Sequence, residues 1–260
     1  MTDQKSESGD HTTAVYVYGL VPADVEVKPD ATGIGTPPAP LSTVTFDDIA
    51  ALVSEIDPDG PVGTPEDLRA HARILDTTAA VAPVLPFQFG AVMTDADAVV
   101  SELLEPYRDE FTDALDQLEG LVEYVVKGKY VEDAVLREIL SGDDEANRLR
   151  EIIRDQPEEV TRDARLALGE RIAQELETKR GQDTQQLLEA LEQVAEDVRV
   201  RDVTDDEDAG SVAVLIAADN VDALDKTVER LNQEWEGRVD LSVLGPLAAY
   251  DFAKTRAPGS

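Results

Sequence analysis

The chain has 260 residues, with 56 Asp and Glu against 23 Lys and Arg, a net charge of −33, and 42% hydrophobic residues. This allows one large or two modest domains with a buried core and argues against wholesale disorder. Zero Cys excludes disulfides, thiolate nucleophiles and Cys-ligated metals, two His leave little for a His-based metal site or relay, and the charge opposes nucleic-acid binding, which needs Lys and Arg against phosphate.

No run approaches about 18 uncharged apolar residues, so no membrane span is predicted. Met1–Asp10 is polar and lacks the basic patch and apolar run of a secretory signal, so an intracellular protein is expected. The acid is dispersed over the whole chain, and only seven of the basic residues are Lys. Self-repulsion of this size opposes compaction in dilute buffer and is mostly screened at molar salt, where the Debye length falls to about 3 Å. The charge therefore points to a salt-adapted cytoplasm; the plainer alternative is a merely acidic protein with solvated faces.

Residues 1–13 read as a disordered lead. Ala14–Tyr18 is β-branched and aromatic and predicts a strand closed by Gly19. Five Pro between Pro22 and Pro40, with Gly33 and Gly35, predict a loop. Short strands follow at Ser42–Phe46 and Ile49–Ile56, then a turn at Asp57–Pro61. Thr64-Pro65-Glu66-Asp67 opens a helix, with a cap, a first-turn Pro and acids at the positive end of the dipole. Its buried stripe is read as Leu68, Ala72, Leu75 and Ala79. Pro83–Phe87 cannot be helical and reads as an extended or edge segment. Thr94–Asp97 caps another helix, which Pro106 should kink or divide.

Gly120 ends that helix, and Leu121–Tyr130 alternates as a strand. From Val131 to Val198 the pattern is helical, with breaks expected at Pro157, Gly169 and Gly181 and a hairpin of two long helices as the simplest fit. Arg199–Val203 and Val212–Ala217 read as strands around an acidic turn. Asn220 opens a helix with the stripe Val221, Leu224, Val228, Leu231 and Trp235. Val239, Leu241 and Val243 alternate in a last strand, and Leu247–Phe252 trails off. From residue 121 the order is strand, helices, strand, strand, helix, strand. The expected fold class is α+β in two domains, the second ferredoxin-like (βαββαβ) with an enlarged helical crossover. The boundaries are 14–120 for the first domain, 121–252 for the second and 253–260 for a tail.

Few motifs point to chemistry. His71 lies beside an apolar stripe with no Gly-x-Ser-x-Gly or His-Glu-x-x-His pattern in the chain, so it reads as a packed or capping residue. His11 lies in the lead. Gly33-Ile34-Gly35 starts like a phosphate loop, but Thr36-Pro37-Pro38 cannot open the helix such a loop needs. Asp57–Gly60 and Asp205–Asp208 lack the spaced ligands of a calcium loop. Tyr124, Tyr130 and Trp235 are expected to fill core. No catalytic residue, cofactor or metal ligand is assigned.

One stretch carries a resemblance. His71-Ala72-Arg73-Ile74-Leu75, followed by Val81-Ala82-Pro83-Val84-Leu85-Pro86-Phe87-Gln88-Phe89-Gly90, resembles the "HxxVL…PVLPxxFG" signature of the gas vesicle protein F/L family, GvpF and GvpL. Tyr16–Gly19 looks like that family's first strand. Leu118–Lys127 is similar to its "L.G..E..VK" segment, and Leu244–Phe252 resembles its "GPWPPYNF" ending. Gln88 stands where many members carry Arg, and the ending lacks Trp and two Pro. The resemblance spans residues 15–252 and implies a two-domain α+β protein acting in gas vesicle assembly. It implies a non-enzymatic accessory or minor structural role, contacts with the hydrophobic shell protein GvpA and other accessory proteins, and a location in the gas vesicle and cytoplasm. Haloarchaea make such vesicles, which agrees with the acidity, and the length leans to the L-type. No nucleic acid, membrane or cofactor is implied.

An apolar shell subunit could be held at a sheet edge or an apolar groove. The extended segments in the two motif stretches are the candidate contacts: Val84, Leu85, Phe87 and Phe89, and Leu247, Tyr250 and Phe252. The alternative is that these segments only close their own domains. The rival functions are a ligand-binding regulatory module and an enzyme using scattered carboxylates.

Overall fold

The computed structural model describes residues 13–253 apart from Asp59, Glu132 and Asp206. The expected lead up to residue 12, His11 within it, and the tail from residue 254 lie outside the described residues. The chain divides into two compact units, Met1–Val122 with Pro246–Ser260, and Glu123–Gly245. Residues 246–252, assigned to the second domain from sequence, thus belong to the first unit.

In the first unit, β1 (Ala14–Pro22) is the centre of an antiparallel sheet. β3 (Ile49–Ile56) pairs along one side of it, with β2 (Ser42–Phe46) beyond. Its other side is covered by two short strands, β4 (Leu85–Pro86) and β5 (Val92–Met93). The register of β1 against β3 slips between Val17 and Gly19, leaving Tyr18 as the extra residue. The bulge resets the alternation, so Tyr16, Tyr18 and Val21 all join one core with Ala50 and Leu52.

The helix α1 (Pro65–Ala79) covers that face. Thr64 caps it, with a reciprocal capping box to Asp67. Its buried side is Asp67, Ala70, His71, Ile74 and Leu75, whereas Leu68 is 49% exposed. The face expected from Leu68 and Ala72 is therefore wrong by about one residue step around the helix. Polar residues with satisfied hydrogen bonds occupy the core side, which an apolar count misses. The second helical run begins at α2 (Ala96–Ala98), capped by Asp95, and widens into a π-helical stretch at Val99–Leu104. It turns at Pro106 and resumes as α3 (Arg108–Gln117). Pro106 divides the helix, as its missing N–H and ring clash require.

In the second unit, a four-stranded sheet has the order β7-β8-β6-β9, with β6 (Leu121–Tyr130), β7 (Asp197–Val200), β8 (Asp208–Ala217) and β9 (Val239–Leu247). Taken by chain position this is 2-3-1-4, the ferredoxin-like order, and the molecule is α+β. The crossover consists of α4 (Ala134–Gly142), α5 (Asp144–Ile153) and α6 (Glu158–Leu191). The expected pair of long helices is corrected to one 34-residue helix and two short ones. α6 runs straight through Gly169 and Gly181. Both face open space, so they cost only propensity. The break at Pro157 is real, because Pro157 is the N-cap of α6. The helix α7 (Val221–Glu234) buries Leu224, Val228 and Leu231, with Trp235 just beyond.

Candidate functional site

The residues of the His71–Gly90 signature converge in the first unit. His71 is 3% exposed. Its Nδ1 lies 2.8 Å from the Tyr16 hydroxyl, and its Nε2 lies 3.0 Å from the Phe87 carbonyl and 3.1 Å from the Tyr250 hydroxyl. A carbonyl can only accept, so Nε2 carries the proton and Nδ1 accepts from Tyr16. The Tyr16 hydroxyl in turn accepts from the Gly90 N–H at 3.1 Å. Tyr16, Tyr18, His71 and Phe89 pack ring against ring, with centroids 4.9–5.7 Å apart.

Burial pushes the His71 pKa down, against the Phe87 carbonyl, which raises it. Burial likewise pushes the Tyr16 and Tyr18 hydroxyls up. None of these groups is poised to trade protons near neutral pH. His71 is a neutral tie between α1, the Phe87 backbone and the C-terminal segment. Its folded pKa lies below the unfolded value of about 6.5, so the unfolded chain takes up the proton first. Stability contributed by His71 is present above that value and falls as pH drops below it. We expect His71→Gln to lower stability by about 1–3 kcal/mol and to flatten the pH dependence below about pH 6.5. Urea unfolding across that range checks both.

A second tie joins the Gly33–Gly35 loop to the start of α1. Asp67 is 3% exposed. It accepts from the backbone N–H groups of Gly35 (2.8 Å), Gly63 (3.1 Å) and Thr64 (3.0 Å), and from the Thr64 hydroxyl (2.9 Å). Burial raises its pKa, but these donors outweigh it and hold the carboxyl below its usual range. The Ile34 N–H donates to the Tyr18 hydroxyl at 2.8 Å, and Tyr18 donates to Ser54. A Cβ on Gly33 would stand 1.9 Å from the Tyr18 oxygen, so only glycine fits. The loop's N–H groups thus serve a carboxylate and a tyrosine of the same unit.

Of the predicted partner contacts, Val84, Leu85, Phe87 and Phe252 are buried at 8% exposure or less. They fill the first unit, and the Phe87 N–H donates to the Tyr18 carbonyl. These four offer no surface to a partner, which corrects that part of the expectation. The extended segment is paired to β1 on either side of the bond between Leu85 and Pro86. Phe89, Leu247 and Tyr250 keep part of their surface. The C-terminal segment is held by Tyr250 at His71 and by the Ala248 N–H donating to Asp76 at 3.0 Å.

In the second unit, the acidic turn closes on itself. Asp208 accepts from the N–H groups of Thr204 and Asp205 and pairs with Lys127 at 2.9 Å. Burial raises its pKa, and Lys127 with the two N–H groups brings it below the usual carboxylate range. Tyr130 and Trp235 are buried, and Tyr124 partly so. Asp183 accepts two bonds from Arg238, at 2.7 and 2.8 Å, and one from Tyr130 at 2.9 Å. Arg238 also stacks over Trp235 at 5.4 Å. Spacing could not reveal this network, because its members are 53 and 55 residues apart.

The comparisons with known proteins agree with the signature. Residues 14–254 match the family described as gas vesicle synthesis protein GvpL/GvpF. Gas vesicle protein F of a Streptomyces species is 33% identical over 93% of this chain and 100% of its own length. Gas vesicle protein L1 of Halobacterium salinarum is 26% identical over 92% of this chain and 89% of its own. In fold, the chain is similar to the crystal structure of the gas vesicle protein GvpF from Anabaena, with a TM-score of 0.77 at 21% identity, covering 94% of this chain and 99% of that one. The GvpF structure from Microcystis aeruginosa gives 0.72 at 20% identity, covering 93% and 99%.

Proposed function

We propose, from the premise that this chain belongs to the GvpL/GvpF family of gas vesicle synthesis proteins, that it is a non-enzymatic accessory or minor structural protein which binds the shell protein GvpA and other accessory proteins while the vesicle nucleates or grows. The observation that carries this reading is the family match over residues 14–254. The locked hydrogen bonds of His71 support a non-catalytic role for the signature. Phe89, Leu247 and Tyr250, the signature residues with surface left, are the proposed remainder of the GvpA contact. Deleting the gene and scoring vesicles tests the role: absent or malformed vesicles, restored by the intact chain, are expected, and normal vesicles would overturn it. Pull-down with GvpA in about 1 M and about 3 M KCl, both fully screened, tests the contact. Binding should persist at both salts and weaken in Leu247→Asp.

A location at the gas vesicle and in the cytoplasm belongs to the same reading. So does a salt-adapted source, which the charge of −33 supports. Folding should then depend on salt. Circular dichroism should show cooperative structure in molar KCl and its loss in about 50 mM, where screening is weak. Full structure at the lower salt would count against that source. The L-type reading rests on length, but three type F relatives are matched over 97–100% of their own span, so length does not select the L-type.

A further inference from the structure

A sheet edge offers a row of unpaired N–H and C=O groups, which proteins blunt with charge, short strands or a covering group. In the second unit the edges are β7 and β9. β7 is short and carries Asp197 and Arg199, and the Asp197 carboxylate accepts from the Val198 N–H at 2.9 Å. The first half of β9 is blunted in another way. The Asn232 carboxamide on α7 takes both backbone groups of Leu241: its oxygen accepts the N–H at 2.8 Å, and its NH2 donates to the C=O at 3.3 Å. One side-chain amide thus stands where a neighbouring strand would.

The second half of β9 has no such cover. Gly128 lies beside Leu241 and Tyr124 beside Gly245, so β9 runs antiparallel to β6 without a slip in register. Successive residues of an antiparallel strand turn both backbone groups to alternate sides. Leu241 turns away from β6, toward Asn232, so Val243 and Gly245 turn the same way. Among the described residues no loop or side chain meets their N–H and C=O groups there. Ser242–Pro246 is exposed on both faces of the strand, with Val243 at 37% and Leu244 at 63%. The stretch is also free of charge, in a chain that is 30% charged: the nearest charged residues in sequence are Asp240 and Asp251. An open, apolar, uncharged edge lacks every usual device against pairing.

We propose that this edge pairs with the same edge of a second copy of the chain, antiparallel about a two-fold axis at Leu244. That register sets Val243 opposite Gly245 of the second copy, and Gly245 opposite the second copy's Val243. Each such pair exchanges both of its N–H···O bonds. Leu244 meets its own copy in the non-hydrogen-bonded position, where facing side chains come closest, and its exposed surface is covered. A two-fold contact sets a patch against itself, so a charged patch would meet its like. In a chain of net charge −33, this uncharged strand end is where two copies can meet without that opposition. A charged foreign segment would find no counter-charge on it. A few backbone bonds and one leucine pair fall short of a standard interface, so the dimer is weak and reversible. The contact joins copies of this chain and does not depend on a shell partner.

The test is sedimentation equilibrium of the intact chain in about 2 M KCl, where repulsion between copies is screened. The average mass should rise toward that of a dimer between about 10 μM and about 1 mM. Leu244→Glu, at an exposed side chain, opposes like charges at the axis and should weaken association about tenfold or more. Val243→Pro removes an outward N–H, spares the ladder to β6 and should do the same. Val200→Glu, exposed on the β7 edge, should change nothing. Register is read separately. The chain has no Cys, so Leu244→Cys adds a single thiol to each copy. Diamide then takes two protons and two electrons from a pair of thiols and leaves one disulfide between copies. The disulfide dimer should form about tenfold faster than from Ser242→Cys, which the axis holds away from its own copy. A monomer up to about 1 mM would overturn the proposal. So would association that survives both Leu244→Glu and Val243→Pro, or that Val200→Glu abolishes, or equal cross-linking of the two cysteine variants.

Discussion

Replacing Asp67 with alanine should lower the stability of the first unit by about 3 kcal/mol, the scale expected when several part-buried donors lose one buried, charged acceptor. The N–H groups of Gly35, Gly63 and Thr64 and the Thr64 hydroxyl all donate to this carboxylate. Alanine leaves them facing a gap that water fills only in part. Asn is the informative second variant, since it keeps one acceptor oxygen but offers an NH2 group to donors; it should cost about 2 kcal/mol. The acid response separates the two effects. The folded carboxyl titrates below the unfolded value near 3.9, so its stabilisation is present above that pH and is lost as pH falls through the folded value. Both variants should lose that part of the acid transition. Unfolding in urea, followed by tyrosine fluorescence at neutral pH and near pH 3, is the measurement. A change within about 0.5 kcal/mol would mean the loop is held by other means.

Arg238→Ala should cost the second unit about 3–5 kcal/mol, the range for breaking a buried ion pair from one side. Asp183 has only 6% of its side chain exposed and would keep its charge with the Tyr130 hydroxyl still donating to it. Burial raises the Tyr130 pKa, and the Asp183 carboxylate raises it further, so that hydroxyl stays a donor. Trp235 would also lose the guanidinium stacked on it. Removing both charges, as Arg238→Met with Asp183→Leu, should be less damaging than either single change. Because Asp183 is buried and Arg238 grips it with two bonds, the cost should change less between low and high KCl than the chain's overall salt requirement. The fluorescence of Trp235, the single tryptophan, reports this unit directly.

How far the sequence could be read depended on whether the signal was local. β2 and β3 were legible to the residue, since β-branched runs between turn residues need no distant partner. The Thr64 cap and the Pro106 division were legible for the same reason. α1 was found but turned by about one residue, because its stripe counts only apolar side chains and its core side also carries Asp67 and His71, whose partners Gly35, Tyr16 and Phe87 lie far along the chain. In α6, Gly169 and Gly181 were read as stops. A glycine stops a helix when its backbone is needed in another conformation, and neither is. Val84, Leu85, Phe87 and Phe252 turned out buried because apolar residues in non-helical segments look the same whether they meet a partner or their own core. The Asp183–Arg238 pair left no signal at all.

The return of residues 246–253 to the first unit has a consequence for synthesis. Ala248 is fully buried in the core with Tyr16, Tyr18 and Leu75, and Tyr250 packs on the same cluster. The first unit is therefore written in two pieces, with the whole second unit between them. When the ribosome has made residue 122, the N-terminal sheet still lacks the residues that close it. The second unit, continuous from 123 to 245, is made in full before the closing segment from residue 246 appears. So the part of the chain made first finishes folding last, with apolar surface waiting for its final segment. A premature stop anywhere before residue 248 leaves the N-terminal core open, however complete the downstream unit is.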